Sequence, residues 1–392
     1  MRSLVLGLCA AGLVGCGGSS GSPAPLHTGT VTASTAIDLY PSSSSGNRLF
    51  VMVTSVGTAT VNLPLIFDTG SAGVTLNALA IFPASMVSAA GFVFPAGQTS
   101  MSYQGITVTN QQGTRTFGGA AGTTQNGNLG FATVTFGDAA GKLTTDVIPV
   151  FLYYSVTRTA TGAPVTGQPQ QGIFGVNAAP NVVNITGSSA AAAAAPACAQ
   201  DTSGTCFAIS PLKYLHYGSG VNAGFMLTPV TLQPCEIGTP GACTGTPVLT
   251  IGLTAGLEAG FSTVSLNCPP PSYSGPATAN GYPVCQQAIP NSTITLSLTE
   301  SGSTVVPVLF DTGTPFMEIR LTSGSSFPTA VPSGTDVMVM LPSGFSYSFT
   351  AGAGVAAASV DPTGSGSTIV GIGYFTTNSY FVDFTTSTAG WK

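Results

Sequence analysis

Leu65-Ile66-Phe67-Asp68-Thr69-Gly70-Ser71 and Val308-Leu309-Phe310-Asp311-Thr312-Gly313-Thr314 are two copies of one short pattern. In each, three apolar residues lead to a carboxylate that is followed by a hydroxyl, a glycine and a second hydroxyl. The chain has only 13 acidic residues in 392, so two of them in one local context point to paired chemistry. A carboxylate behind an apolar run is headed for burial, which must be offset by hydrogen bonds or by a shared proton. If Asp68 and Asp311 face each other, like-charge repulsion raises one pKa and leaves a single proton on the pair. One carboxylate can then take a proton from water while the other carboxyl gives one to a peptide carbonyl. Thr69 and Thr312 can tie the two loops together, and Gly70 and Gly313 let backbone amides come close to the carboxylates. Ser71 and Thr314 fit as hydroxyls that orient each acid. The bland alternative is two ordinary turns at strand ends, since Asp, Thr and Gly are all turn residues.

Strands must deliver these loops. Residues 48–56 and 60–67 read as two strands turned at Gly57-Thr58, which carries Asp68 to a strand end. Spaced apolar residues over 76–87 predict a short helix, limited by Pro83. Further strands are expected at 105–109, 130–136 and 147–154. In the second half they are expected at 248–253, 261–266, 293–298, 304–310, 337–340, 345–350 and 368–372, the run at 304–310 leading into Asp311.

Composition narrows the functional classes. Hydrophobic residues make up 43% and charged residues 5%, with 51 Gly and 28 Pro, a balance that suits turn-rich β-structure and not disorder. The length is enough for two domains with their own cores. A net charge of −5 with eight basic residues leaves no surface to neutralise phosphates, so nucleic acid is excluded as a partner. Only His27 and His216 are present, and no cysteine pair has the close spacing of a zinc knuckle, so no metal is expected. A serine triad lacks a core histidine, and the one Gly-x-Ser-x-Gly match, residues 17–21, precedes every predicted strand. Two carboxylates also serve glycosidases, but that chemistry gives no reason for identical turns in both halves.

On these residues the chain resembles the two-lobed, pepsin-like aspartic peptidases, in which each lobe supplies one Asp-Thr-Gly. The resemblance extends to Gly172-Ile173-Phe174-Gly175 and Thr368-Ile369-Val370-Gly371, which match the apolar-apolar-Gly segments passing beside the catalytic loops, and to the closing run 380–384. It implies an all-β bilobal fold with a few short helices, an N-terminal lobe over 37–220 and a C-terminal lobe over 221–392. It also implies catalysis by Asp68 and Asp311 with Thr69, Gly70, Ser71, Thr312, Gly313 and Thr314 in support, no cofactor, a polypeptide substrate, and a monomer. In that family a hairpin flap with a Tyr-Gly near its tip covers the substrate. Phe117-Gly118 is the nearest local match and lacks the phenolic hydroxyl; Tyr103 is the alternative. The rival reading is an envelope protein that keeps this fold for binding or surface structure without catalysis.

The first residues read as an export signal, with an apolar core from Leu4 to Val14 and a lipoprotein-like box at Leu13-Val14-Gly15-Cys16. Residues 1–15 are expected to be removed, Cys16 lipidated, and 16–36 to serve as a flexible tether to the membrane. An ordinary secretory signal with an incidental cysteine is the alternative. A closer likeness, to bacterial lipoproteins with aspartic-peptidase-like motifs, implies a place in the cell envelope. No acidic residue follows Cys16, which by that likeness favours the outer membrane. The remaining six cysteines suggest disulfides in an exported chain, and short spacing makes Cys198–Cys206, Cys235–Cys243 and Cys268–Cys285 the simplest pairing.

Overall fold

The computed structural model describes residues 30–118, 122–165, 171–186, 199–200, 206–239, 242–271, 273, 275–321, 327–362 and 366–392. The signal, Cys16 and the tether to residue 29 lie outside the described residues, as does the Cys198–Cys206 pair.

Among the described residues strands dominate, and the helical pieces are single turns. The first lobe is built from β1 (Arg48–Val56), β2 (Ala59–Asp68), β3 (Ala72–Asn77), β4 (Ile106–Phe117), β5 (Thr123–Ala132), β6 (Ile148–Arg158), β7 (Gly172–Val176) and β8 (Asn181–Thr186). β1 and β2 form the expected hairpin, with Phe50 opposite Ile66, so the apolar end of β2 is packed as it arrives at Asp68. β7 then runs parallel to β2, pairing Gly172 with Leu65 and Gly175 with Asp68, and antiparallel to β3. The chain thus passes beside the Asp68 loop from both directions.

The second lobe repeats this arrangement with β9 (Gly302–Phe310), β10 (Met317–Arg320) and β11 (Thr368–Val370). β11 is parallel to β9, pairing Phe310 with Val370, and meets β10 at Glu318 opposite Ile369. Strands Ile289–Ser297, Asp336–Met340 and Ser346–Thr350 extend this sheet. An antiparallel platform joins the lobes: Thr35–Ser42 pairs with Thr246–Leu253 over its first residues and with β1 over its last. Asn222–Leu227, Tyr380–Asp383 and Thr388–Trp391 continue it.

The core under the two Asp loops is aromatic. Phe67 meets Phe225 edge-on at 5.8 Å, Phe225 meets Tyr380 at 6.1 Å, and Tyr380 stacks on Phe310 at 6.0 Å. The residue before each aspartate is therefore joined to its counterpart through two buried platform rings, all four side chains being almost fully buried. Aromatic burial of this kind contributes both area and preferred ring geometry.

Two expectations need correction. The helix over 76–87 is a single 3-10 turn, Ala78–Ala80, capped by the Asn77 side chain accepting from the Leu79 amide. Residues up to Asn77 are taken into β3 instead, because Val74 to Asn77 pair in register with Val150 to Tyr153 of β6. Sheet pairing has outweighed local periodicity there. The strands flanking 118–122 are also much longer than expected, β4 running to Phe117 through Gln111, Gln112 and Arg115, polar residues that carry no strand-like apolar alternation. Cys235–Cys243 and Cys268–Cys285 form disulfides, closing the short loops their spacing suggested.

Candidate active site

Asp68 and Asp311 end β2 and start the loop after β9, each 7% exposed. Around each, the local sequence builds the same small cage. The Gly70 and Ser71 amides donate to Asp68 Oδ1 at 2.7 and 3.1 Å, and the Ser71 hydroxyl donates to Oδ2 at 2.5 Å. On the other side the Gly313 amide donates to Asp311 Oδ1 at 2.7 Å and the Thr314 hydroxyl to Oδ2 at 2.6 Å.

The threonines between them bind the lobes reciprocally. Thr69 Oγ1 donates to the Phe310 carbonyl at 2.8 Å and accepts from the Thr312 amide at 3.0 Å. Thr312 Oγ1 donates to the Phe67 carbonyl at 2.6 Å and accepts from the Thr69 amide at 3.1 Å. Both side chains are fully buried, so each hydroxyl satisfies two backbone groups that would otherwise have no partner.

The two carboxyl groups face one another, each across the other loop's glycine. A methyl group built on Gly70 would overlap the Asp311 carboxyl, and one built on Gly313 would lie 2.7 to 3.0 Å from the carboxyl atoms of Asp68. Glycine is required at both positions because each loop faces the opposite acid. The Asp311 carboxyl is held well above the usual range, first by burial and then by the negative charge of Asp68; Thr314 and the Gly313 amide pull partly the other way. A pair of this kind holds one proton between two acids.

Residues that no motif announced complete the site. Asn177 and Gln287 both donate to the Thr69 carbonyl at 3.0 Å, and Gln287 also accepts from the Ala178 amide at 2.7 Å. Arg115 of β4 donates to the Ala72 carbonyl at 2.8 Å, and Arg48 at the head of β1 donates to the Gly313 carbonyl at 2.5 Å. Each Asp loop is thus gripped by an arginine through its backbone. Scarcity was the available signal, since the chain has only eight basic residues.

Phe117 and Gly118 fall at the turn end of the β4–β5 hairpin, with Gly118 at φ +74°. Tyr103 lies at the opposite end of β4, in the turn where it pairs with Ile106, and its ring packs on Phe82 at 5.3 Å. It closes the turn of a neighbouring hairpin, residues 100–109, at the far end of β4 from Phe117. The hairpin is paired along both outer edges, β5 with β6 from Thr123 to Ala132 and β4 with β8 at residues 112–114. A cavity of about 370 Å³ lined by Val264, Leu266, Gln286 and Ile289 holds neither aspartate and no titratable side chain, so the chemistry is not there. Among the described residues no cluster of His, Cys, Asp or Glu could hold a metal ion.

No protein-family model matches the chain, and no curated protein does. Solved structures do. The aspartic proteinase from Irpex lacteus is similar over 92% of this chain and 97% of its own, at 12% identity and a TM-score of 0.54. Basic 7S globulin from soybean is similar over 92% of this chain and 96% of its own, at 13% identity and a TM-score of 0.50. Identity this low speaks to architecture alone. With strands throughout, two lobes that each end an apolar strand on Asp-Thr-Gly, and near-complete coverage in these alignments, the chain has the bilobal, pepsin-like fold of the aspartic proteinases.

Proposed function

We propose that the protein is an aspartic endopeptidase that hydrolyses extended polypeptides with water activated between Asp68 and Asp311. The observation that carries this reading is the facing carboxyl pair, buried and caged by matching donors from both lobes. Asp68, as the anion, takes a proton from a water bound between the acids. Asp311, as the acid, donates to the carbonyl oxygen, and a tetrahedral diol forms without any covalent enzyme intermediate. Asp68 then returns its proton to the leaving nitrogen while Asp311 takes one back from a diol hydroxyl, so that the C–N bond breaks, the carboxylic acid and amine form, and the single-proton pair is restored. As pH rises through the raised Asp311 value the general acid is lost, so activity belongs on the acid side.

The test is cleavage of an unstructured protein across acidic to neutral pH, by the native sequence and by Asp68→Asn and Asp311→Asn. Activity confined to acid and lost in both variants is expected; no cleavage at any of these pH values would falsify the proposal. The rival, a binding protein on the same fold, draws on two features: the hairpin is held along both edges, and β4 ends on Phe117 where the family resemblance leads one to expect a tyrosine hydroxyl.

Attachment to the bacterial envelope through a lipidated Cys16 belongs to the same proposal and rests on Leu13-Val14-Gly15-Cys16 after an apolar stretch. Mass spectrometry of the mature N-terminus should find a diacylglyceryl cysteine, and an unmodified chain starting elsewhere would reject it.

A further inference from the structure

Arg115 is 3% exposed, on a strand whose other buried positions are small, apolar or uncharged. Burying a guanidinium is costly unless charge or hydrogen bonds compensate. Here one nitrogen donates to the Ala72 carbonyl, immediately after the Ser71 that holds Asp68, while Nη1 has no hydrogen-bond partner. That free nitrogen lies 3.5 Å from where a side chain on Gly73 would begin, so the guanidinium is laid against the backbone leaving the Asp68 loop. Opposite it on β5, the buried Gln125 leaves its Oε1 unpartnered as well. Among the described residues, Arg115 makes no ion pair at contact distance. Burial brings the guanidinium down to about 10, and what offsets it is the Ala72 hydrogen bond, the face of the Phe117 ring 5.0 Å away and the charge of Asp68.

We infer that Arg115 is a positioning residue of the dyad, a buried permanent cation that fixes the pair's single negative charge on Asp68 and leaves the shared proton on Asp311. The inference rests on the peptidase reading only for its kinetic consequence; the charge placement stands by itself. The groups that act on either loop by charge are Arg115 from β4, Arg48 from the head of β1 through Gly313, and the two aspartates. Arg48 is half-buried, reaches across to the C-terminal loop and hydrogen-bonds only backbone there, so it does not substitute for a cation on the Asp68 side. The direction of the effect follows. A cation near a carboxylate favours its anion, so removing Arg115 makes the first deprotonation of the pair harder.

The experiment uses the whole chain as Arg115→Met and Arg115→Lys, with the carboxyl carbons of aspartate labelled with ¹³C and the dyad signals assigned through Asp68→Asn and Asp311→Asn. In Arg115→Met the lower titration step of the pair should move up by about one pH unit. In Arg115→Lys, which keeps charge and approximate length, it should stay within a few tenths. The acid limb of kcat/KM should move with that step, with kcat down on the order of tenfold and KM near its original value. A folded Arg115→Met chain whose titration step does not move overturns the inference, even if its kcat falls. If Arg115→Met does not fold, the neutral Arg115→Gln decides in its place: a step displaced upward supports the inference, an unmoved step overturns it. Should the native chain cleave nothing while the step still moves as expected, the charge assignment holds and the peptidase reading alone fails.

Discussion

The two Asp-Thr-Gly loops share a sequence pattern and a fold but not a setting. Asp68 accepts three hydrogen bonds from its own loop, from the Gly70 and Ser71 amides and the Ser71 hydroxyl, and Asp311 accepts two, from the Gly313 amide and the Thr314 hydroxyl. The Thr69 carbonyl is further held by Asn177 and Gln287, and a buried arginine lies behind the Asp68 side. Asp311 is left with burial and the charge of its neighbour, both of which favour its protonated form. A near-symmetric pair of loops thus differs in what surrounds each acid, and it is Asp311 whose carboxyl proton is held by burial and by its neighbour's charge.

The sharpest way to break the comparison is to neutralise each acid in turn. Asp68→Asn and Asp311→Asn should each lower kcat/KM by about 10³–10⁴-fold on a peptide substrate, because the pair works only as a unit. A variant retaining near-native activity would show that one loop is dispensable. The glycines test how closely the loops face each other. Gly70→Ala should cost about 2–3 kcal/mol in denaturant unfolding and Gly313→Ala about 1–2 kcal/mol, since the first overlaps the opposing carboxyl and the second only crowds it. Equal costs would argue that the loops relax alike. Thr69→Val and Thr312→Val should each cost about 1–3 kcal/mol by the same measurement, as each leaves a buried amide and a buried carbonyl without a partner.

Finer still are the outer hydroxyls. Thr314→Val removes a donor that favours the Asp311 anion, so the basic limb of the pH–rate profile should move upward by roughly half a unit. Ser71→Ala should leave that limb nearly in place and affect the acid limb instead. A control with the smallest effect lies outside the dyad, in α1 (Ala255–Glu258). Glu258 is pushed up to about 7 from an ordinary 4.5 by burial, then by its hydrogen bond with Asp383 and that residue's charge. Because the folded chain holds this proton more tightly than the unfolded one, its stabilising contribution is present below about 4.5 and is lost as pH rises toward 7. Glu258→Gln should flatten that part of the thermal stability profile without altering the dyad's titration.

Much of this was legible from residues 65–71 and 308–314, because a carboxylate after an apolar strand followed by Thr-Gly leaves few arrangements open. The hairpin 48–67, the segments beside each loop and two of the disulfides were readable for the same local reason: turn residues, β-branched runs and cysteine spacing act over a few positions. The stretch 76–87 misled because its apolar spacing suits a helix, whereas Val74 to Asn77 are claimed by β6, a partner more than 70 residues distant in the chain. The hairpin tip was narrowed to Phe117-Gly118 or Tyr103, and only the register of β4 with β5 separates them.

By itself the sequence determined the chemistry on offer: two acids, four hydroxyls and two glycines in matching order, with no metal-binding set or basic surface to suggest another reaction. Tertiary structure alone decided how the acids differ. Arg115, Asn177 and Gln287 occupy unremarkable local contexts, and their importance comes from which backbone groups the folded sheets bring them to. Hydrogen bonding and charge act through space at a few ångströms, while a sequence pattern records only neighbours along the chain.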